Sequence, residues 1–319
     1  MIMNKIKVIC LMPVKNEIDL LPITLPIISQ YCDVIIISDQ MSDDGSREIY
    51  KNFPKVKVID NPREGHSNQV RWDLLKAARE YQGNNLIISL DADEYIPPKL
   101  FDKFLDEHDF KIGDSFRFPW MQLWKSIKYF NDTGVWYRNY QRAAWVDDGK
   151  TNYGDEVVIN DHTSRVPFSF LNNCQRIDNI PIIHLQWVSW QKTQLKQALY
   201  RCTELVKDPK NYISINSAYS HSLDCKTTRL SRVPTEWTEG LESLNLVEKF
   251  QPTWHQQEIY KLFDKRGILF FEPLQIWHIA ELENEFIKRV GRKPASISEN
   301  KIFRITKDFK RLLIKLIHY

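Results

Sequence analysis

An open, mostly parallel α/β sheet with helices on both faces is the architecture that the first hundred residues predict. Short β-branched runs at Lys7–Val14, Val34–Ser38, Val56–Ile59 and Leu86–Leu90 alternate with stretches of helical period, a βαβαβαβ order. These runs are apolar on both faces, as strands covered on both sides must be. The connections between them are short, and right-handed crossovers of that kind make neighbouring strands parallel.

The elements follow in order. The first strand stops at Lys15-Asn16-Glu17. Asp43-Asp44-Gly45-Ser46 can cap a helix through Tyr50, and Ser67 can cap a longer one through Arg71, Leu74, Leu75 and Ala78, which Gly83-Asn84 ends. From about Ser115 the texture changes: nine of the ten tryptophans lie at or after Trp120, among short strand-like pieces and polar turns. A strand at Ile180–Leu185 leads into a helical pattern through Trp190, Leu195, Leu199, Cys202 and Val206. Asp208–Val233 is polar, without clear period, and reads as a long loop; helical stretches follow around Thr253–Asp264 and Leu274–Val290. The expected division is a first half over 1–114, a second half of the same domain over 115–207, and a loop with a helical C-terminal extension over 208–319.

The 319 residues are 43% hydrophobic and 27% charged, a globular composition able to bury roughly 75% of the unfolded surface. Forty-four Lys and Arg against forty-one Asp and Glu leave a charge of +3, which gives no overall field for nucleic acid. Five cysteines, odd in number and without CxxC spacing, suggest neither a disulfide framework nor a zinc knuckle, and fit a reducing, cytoplasmic setting. No run reaches the roughly 18 apolar residues of a membrane span. The segment 302–319 sets Phe303, Phe309, Leu312, Leu313, Leu316 and Ile317 among Lys307, Lys310, Arg311 and Lys315. Such a helix either docks on the domain or lies peripherally on an anionic membrane, at its inner face.

In open α/β sheets ligands bind beyond the carboxyl ends of the strands, which directs attention to Lys15-Asn16-Glu17, Asp39 and Asp91-Ala92-Asp93-Glu94. Asp91 and Asp93 follow an apolar strand, and a turn there can bring both carboxylates to one side, where they suit a hard cation such as Mg²⁺ or Mn²⁺. An isolated DxD is otherwise a solvated acidic turn.

Four ordered segments make the pattern more specific. Met12-Pro13-Val14-Lys15-Asn16-Glu17, Asp33 through Ser46, Gln69-Val70-Arg71 and Leu90-Asp91-Ala92-Asp93-Glu94 together resemble family 2 glycosyltransferases of the GT-A fold, firmly over about residues 5–98 and weakly to about 205. The resemblance implies an inverting, metal-dependent transfer of a sugar from a nucleotide-diphosphate donor to a hydroxyl of a glycan or lipid-linked acceptor, as in polysaccharide biosynthesis. It implies donor contacts at Pro13, Val14, Asn16, Glu17, Asp39, Arg71 and Asp91, and a Mn²⁺ or Mg²⁺ held by Asp91 and Asp93. His184, at the end of the strand before a helix, matches the place where many GT-A enzymes present a third metal-side ligand; a neutral imidazole suits Mn²⁺. Trp72 departs from the asparagine that often follows the family's arginine.

The acceptor hydroxyl needs a base, commonly a carboxylate. Glu156 is preferred to Asp155, with Asp147 and Asp148 as rivals. Trp120, Trp124, Trp136, Trp145, Trp187 and Trp190 can stack on sugars, although aromatic residues in such density more often form core. A sugar nucleotidyltransferase lacks its usual glycine-rich basic loop here, and a non-catalytic carbohydrate-binding protein has no need of Asp39, Asp91 and Asp93 intact.

Overall fold

The computed structural model describes residues 6–63, 68–133, 139–153, 164–167, 170, 174–223, 229–239, 241 and 254–295. Their described parts form two compact units, Met1–Val188 with Arg229–Lys249, and Ser189–Thr228 with Phe250–Tyr319.

The first unit opens with strand β1 (Lys7–Val14), helix α1 (Leu21–Tyr31), β2 (Val34–Asp39), α2 (Ser46–Tyr50), β3 (Val56–Asp60), α3 (Gln69–Ala78) and β4 (Asn85–Ser89). Each expected strand is present, and β3-β2-β1-β4 pair in parallel. Ile9, Leu11, Val34, Ile36 and Ile87 pack with Leu74, Leu75 and Ala78 of α3. Val8, Cys10 and Met12 alternate with them and are equally buried, so both faces of the sheet are covered. Helix α2 begins after Gly45 in left-handed conformation (φ 100°), with Asp44 Oδ1 accepting from Ser46 N at 2.9 Å. Helix α3 begins after Asn68; Ser67, the expected cap, lies outside the described residues.

Beyond β4 come β5 (Glu94–Tyr95), α4 (Pro98–Glu107), β6 (Ser115–Gln122), β7 (Tyr129–Asn131), β8 (Tyr140–Val146), β9 (Cys174–Arg176) and β10 (Ile182–His184). The sheet continues β4-β8-β6-β10-β5, with β9 also on β6. Among the described residues only the β4–β8, β6–β8 and β10–β5 pairings of this sheet are antiparallel, so the expected mostly parallel sheet holds. A separate ribbon joins β7 to β11 (Leu230–Arg232).

The second unit is helical: α5 (Trp190–Lys207), α6 (Tyr212–Ala218), α7 (Trp254–Arg266) and α8 (Ala280–Val290). Ser189 caps α5 by accepting from Lys192 N, and Leu195, Leu199, Cys202, Ile259, Phe263, Phe271, Leu282 and Phe286 form its core. The stretch expected as a long loop therefore contains α6 and β11. Helix α6 is held from outside itself, since Asn216 donates to Pro273 O at 2.9 Å and accepts from Gln275 N at 2.8 Å. Seven residues cannot advertise a helical period. Among the described residues no helix is long and apolar enough to cross a membrane; the segment 302–319 lies outside them.

Candidate active site

The carboxyl ends of β1, β2 and β4 lie side by side, with Val14 opposite Asp39 and Leu11 opposite Ser89. The first two loops are stitched together. Asn16 adopts a left-handed φ of 53°, its amide donates to Asp43 Oδ1 and its carbonyl accepts from Asp43 N. Asn16 N and Glu17 N donate to the hydroxyls of Ser42 and Ser46, each at 2.9 Å. A Cβ at Gly45 would stand 2.7 Å from Ile18 Cδ1, the movable end of an exposed side chain, so it is the φ of 100° that calls for glycine there. The polar residues of these motifs thus bind the two loops to each other.

Asp39 is fully buried. Its Oδ1 accepts from Ser42 N and Arg47 Nη1, both at 2.8 Å, and its Oδ2 from Tyr50 Oη at 2.7 Å. Burial works to raise its carboxyl, but the bonds from Tyr50, Ser42 and Arg47 prevail and hold it below the ordinary range. Burial, then the Asp39 carboxylate, pushes the Tyr50 phenol up. The structure therefore brings Asp39 to the strand ends with its oxygens engaged by the following loop. Pro13 and Val14 close β1 just before it.

The acidic turn after β4 splits its two carboxylates. Asp91 Oδ2 meets Arg165 Nη2 at 2.6 Å, while Oδ1 stands 3.4 Å from Arg71 Nη2. Arg71, buried on α3, also donates to Ser89 Oγ at 2.8 Å. Burial works against ionisation of Asp91, yet the Arg165 and Arg71 guanidiniums outweigh it and hold the carboxyl below its ordinary value. Glu94 is fully buried and takes the other side of Arg165, with Nη1–Oε2 at 2.5 Å and Nη2–Oε1 at 3.0 Å; it also accepts from Trp120 Nε1 at 2.6 Å and Asp91 N at 3.0 Å. Arg165 was not among the expected site residues. Its partners are 71 and 74 positions away in sequence, and no local period marks it. The one available signal was Glu94, a carboxylate beside an apolar strand that had to find a cation.

Asp93 faces His184, with Oδ2 3.2 Å from Nε2. The ring is stacked on Trp120 at 4.8 Å, and Nδ1 meets Gln122 Oε1 at 2.5 Å. With the Nδ1 proton given to Gln122, Nε2 turns toward Asp93 either protonated, as an ion pair, or as a second acceptor. In the latter state a divalent cation relieves the opposition of the two acceptors. Among the described residues no three His, Cys, Asp or Glu side chains converge on one point. Asp93 and His184 thus fit a cation as a pair of ligands whose remaining positions a substrate's oxygens and water complete, as is usual for Mg²⁺.

Two rivals for the base are excluded by position. Asp147 N donates to Asn85 O, at the start of β4, so Asp147 lies about 20 Å of strand length from Asp91. Arg79 grips it with Nε and Nη2, both at 2.8 Å. Asp148 is consumed by a turn, accepting from Lys150 N, Thr151 N and Thr151 Oγ1. Asp155 and Glu156 lie outside the described residues, as does Trp136. Of the remaining tryptophans, Trp145 is fully buried, Trp124 and Trp187 stack on each other at 4.8 Å, and Trp120 braces Glu94 and His184.

Residues 9–112 match the family profile described as glycosyl transferase family 2. No curated protein is significantly similar to the chain. Among solved structures, TarS of S. aureus is similar with 14% identity over 89% of this chain and 53% of its own, at a TM-score of 0.38. Residues 1–349 of TarS in complex with UDP give 13% identity over 90% of this chain and 92% of that one, at 0.38. A 4-diphosphocytidyl-2C-methyl-D-erythritol synthase gives 14% over 44% and 75%, at 0.32.

Proposed function

We propose, from the match of residues 9–112 to the glycosyl transferase family 2 profile, that this chain transfers a sugar from a nucleotide-diphosphate donor, with inversion, to a hydroxyl of a glycan or lipid-linked acceptor. The observation that supports this reading is the charge arrangement after β4. Asp93 and His184 stand 3.2 Å apart, beside an Asp91 carboxylate flanked by two arginines.

In this reading Asp93 and His184, with Asp91 beside them, hold Mn²⁺ or Mg²⁺. The ion, when bound, neutralises charge on the departing diphosphate. Arg71 and Arg165 keep Asp91 ionised and add fixed positive charge to the same edge, where it acts without reorganising. The stitched loops at Asn16–Glu17 and Ser42–Ser46 form a rigid floor for the nucleoside beside Pro13, Val14 and Asp39. The acceptor hydroxyl passes its proton to Glu156, or to Asp155 as the alternative, and the attack on the anomeric carbon inverts it.

The test is melting of the full chain with nucleoside diphosphate and Mn²⁺, together with product analysis after incubation with nucleotide-sugars. A metal-dependent rise in melting temperature, lost in Asp93→Asn, and release of free sugar with nucleoside diphosphate are expected. Formation of nucleoside triphosphate and sugar 1-phosphate when pyrophosphate is added to the nucleotide-sugar would instead mark a nucleotidyltransferase, and no release with any donor would favour a carbohydrate-binding protein.

A further inference from the structure

We propose that Arg142, Arg117 and Arg176 form a phosphate-binding row on the sheet, which holds a phosphate group carried by the acceptor; this rests on the transferase reading above. Arg117 on β6 is in register with Arg142 on β8 and with Arg176 on β9. Residues in register across strands share a face. The three guanidinium stems therefore start side by side, the outer two about 10 Å apart. The row requires the irregularity between Phe116 and Arg117, where the β6–β8 register shifts past Ala143 and sets arginine opposite arginine.

Like charges directly opposite one another destabilise a sheet unless something lies between them. Asp178 occupies one end of the row, accepting from Arg176 Nε at 2.6 Å, and Arg176 also lies over the Tyr140 ring at 4.3 Å. Arg117 and Arg142 form no ion pair within 4 Å among the described residues, although the Asp178 carboxylate also acts on Arg117 through space, and Arg117 Nε is buried with no hydrogen-bond partner. On the other side of the row the neighbours are neutral: Ser115, and the Cys174 thiol that Arg142 contacts.

A phosphate suits this arrangement. Its tetrahedral oxygens accept from forks on two neighbouring strands at once, whereas a planar carboxylate is matched by one fork. Arg117 precedes Trp120, which braces the acidic turn, by three residues on β6. Three residues are an odd step along a strand, so the row stands about 10 Å along it from that turn and on the face opposite Trp120, distinct from where the donor's diphosphate is proposed to bind.

The experiment is isothermal titration of the full chain with inorganic phosphate, glucose 6-phosphate and glucuronate, at two salt concentrations. It is run with nucleoside diphosphate and Mn²⁺ present, and compares wild type with the R117Q/R142Q double variant. At least a tenfold loss of phosphate affinity is expected in the double variant, with a shallower salt dependence and with binding of nucleoside diphosphate unchanged within twofold. R117K/R142K, which keeps the charge and loses the forks, is expected to bind phosphate several-fold more weakly than wild type and to cover the case in which the glutamines disturb folding. Equal phosphate affinity in wild type and both variants, no phosphate binding by wild type, or glucuronate bound as tightly as glucose 6-phosphate would each overturn the row. Failure of nucleoside diphosphate to bind even wild type would instead count against the transferase reading, while the phosphate comparison still decides the row.

Discussion

Replacing Arg165 by methionine should be among the most costly single changes at the site, and its partners should divide that cost unequally. The guanidinium is 10% exposed and joins Glu94, which is fully buried, to Asp91, which is 38% exposed. Removing one partner of a buried pair leaves an uncompensated charge and costs about 3–5 kcal/mol. For Asp91, water replaces the lost partner, so Asp91→Asn should cost about 1 kcal/mol or less. Glu94→Gln keeps an acceptor for Trp120 Nε1 but removes the charge, and should cost about 1.5–3 kcal/mol. Because Arg165→Met/Glu94→Gln leaves neither charge stranded, the double variant should be no less stable than Arg165→Met alone, a coupling of at least about 1.5 kcal/mol. Urea unfolding followed by tryptophan fluorescence measures all four. Strictly additive single effects, or an Asp91→Asn cost equal to that of Glu94→Gln, would refute the argument that burial decides the matter.

Gln122→Leu removes the acceptor that orients His184, and should weaken Mn²⁺ affinity by about 10–100-fold while Asp93 is intact; unchanged metal titration in the presence of nucleoside diphosphate would speak against His184 as a ligand. Asp147→Asn should lower stability by about 1.5–3 kcal/mol through the lost Arg79 pair and leave donor turnover unaltered, so a large fall in turnover without loss of fold would restore Asp147 as a base. His255 in the second unit is buried, and burial followed by the Lys196 and Lys192 ammoniums holds its imidazole well below the ordinary value. A depressed folded value means that the unfolded chain takes the proton first. Stability is then fully present above the ordinary histidine value of about 6.5 and falls on acidification at up to about 1.4 kcal/mol per pH unit until the folded value is reached. Melting from pH 7 to 5 should show a shallower decline in His255→Gln, and parallel declines would contradict the assignment.

Much of this was readable from local pattern. Strands β1 to β4 begin and end within a residue of their expected bounds; for β1, β2 and β4 burial on both faces demands continuous apolar runs, whereas β3, at the sheet edge, is half-buried or exposed throughout. The acidic turn and the strand-end loops were visible because α/β sheets place their ligands there. Helix α6 was not visible: its asparagine is held by Pro273 O and Gln275 N, contacts that leave no period in seven residues. Asp147 and Asp148 looked equivalent to any acid of a polar turn until the bond from Asp147 N to Asn85 O put them at the amino end of β4, the far end of that strand from the acidic turn.

The amino-acid order by itself determined the layered sheet, the family resemblance and the residues at the strand ends, all of which follow from periodicities and motifs a few residues long. Which cation each carboxylate meets was decided only in three dimensions. Asp91 and Glu94 share Arg165 and Asp93 faces His184, because chain folding brings together side chains 71 to 91 positions apart. Coulomb attraction and the cost of burying an unpaired charge depend on distance through space, which no local window of sequence contains.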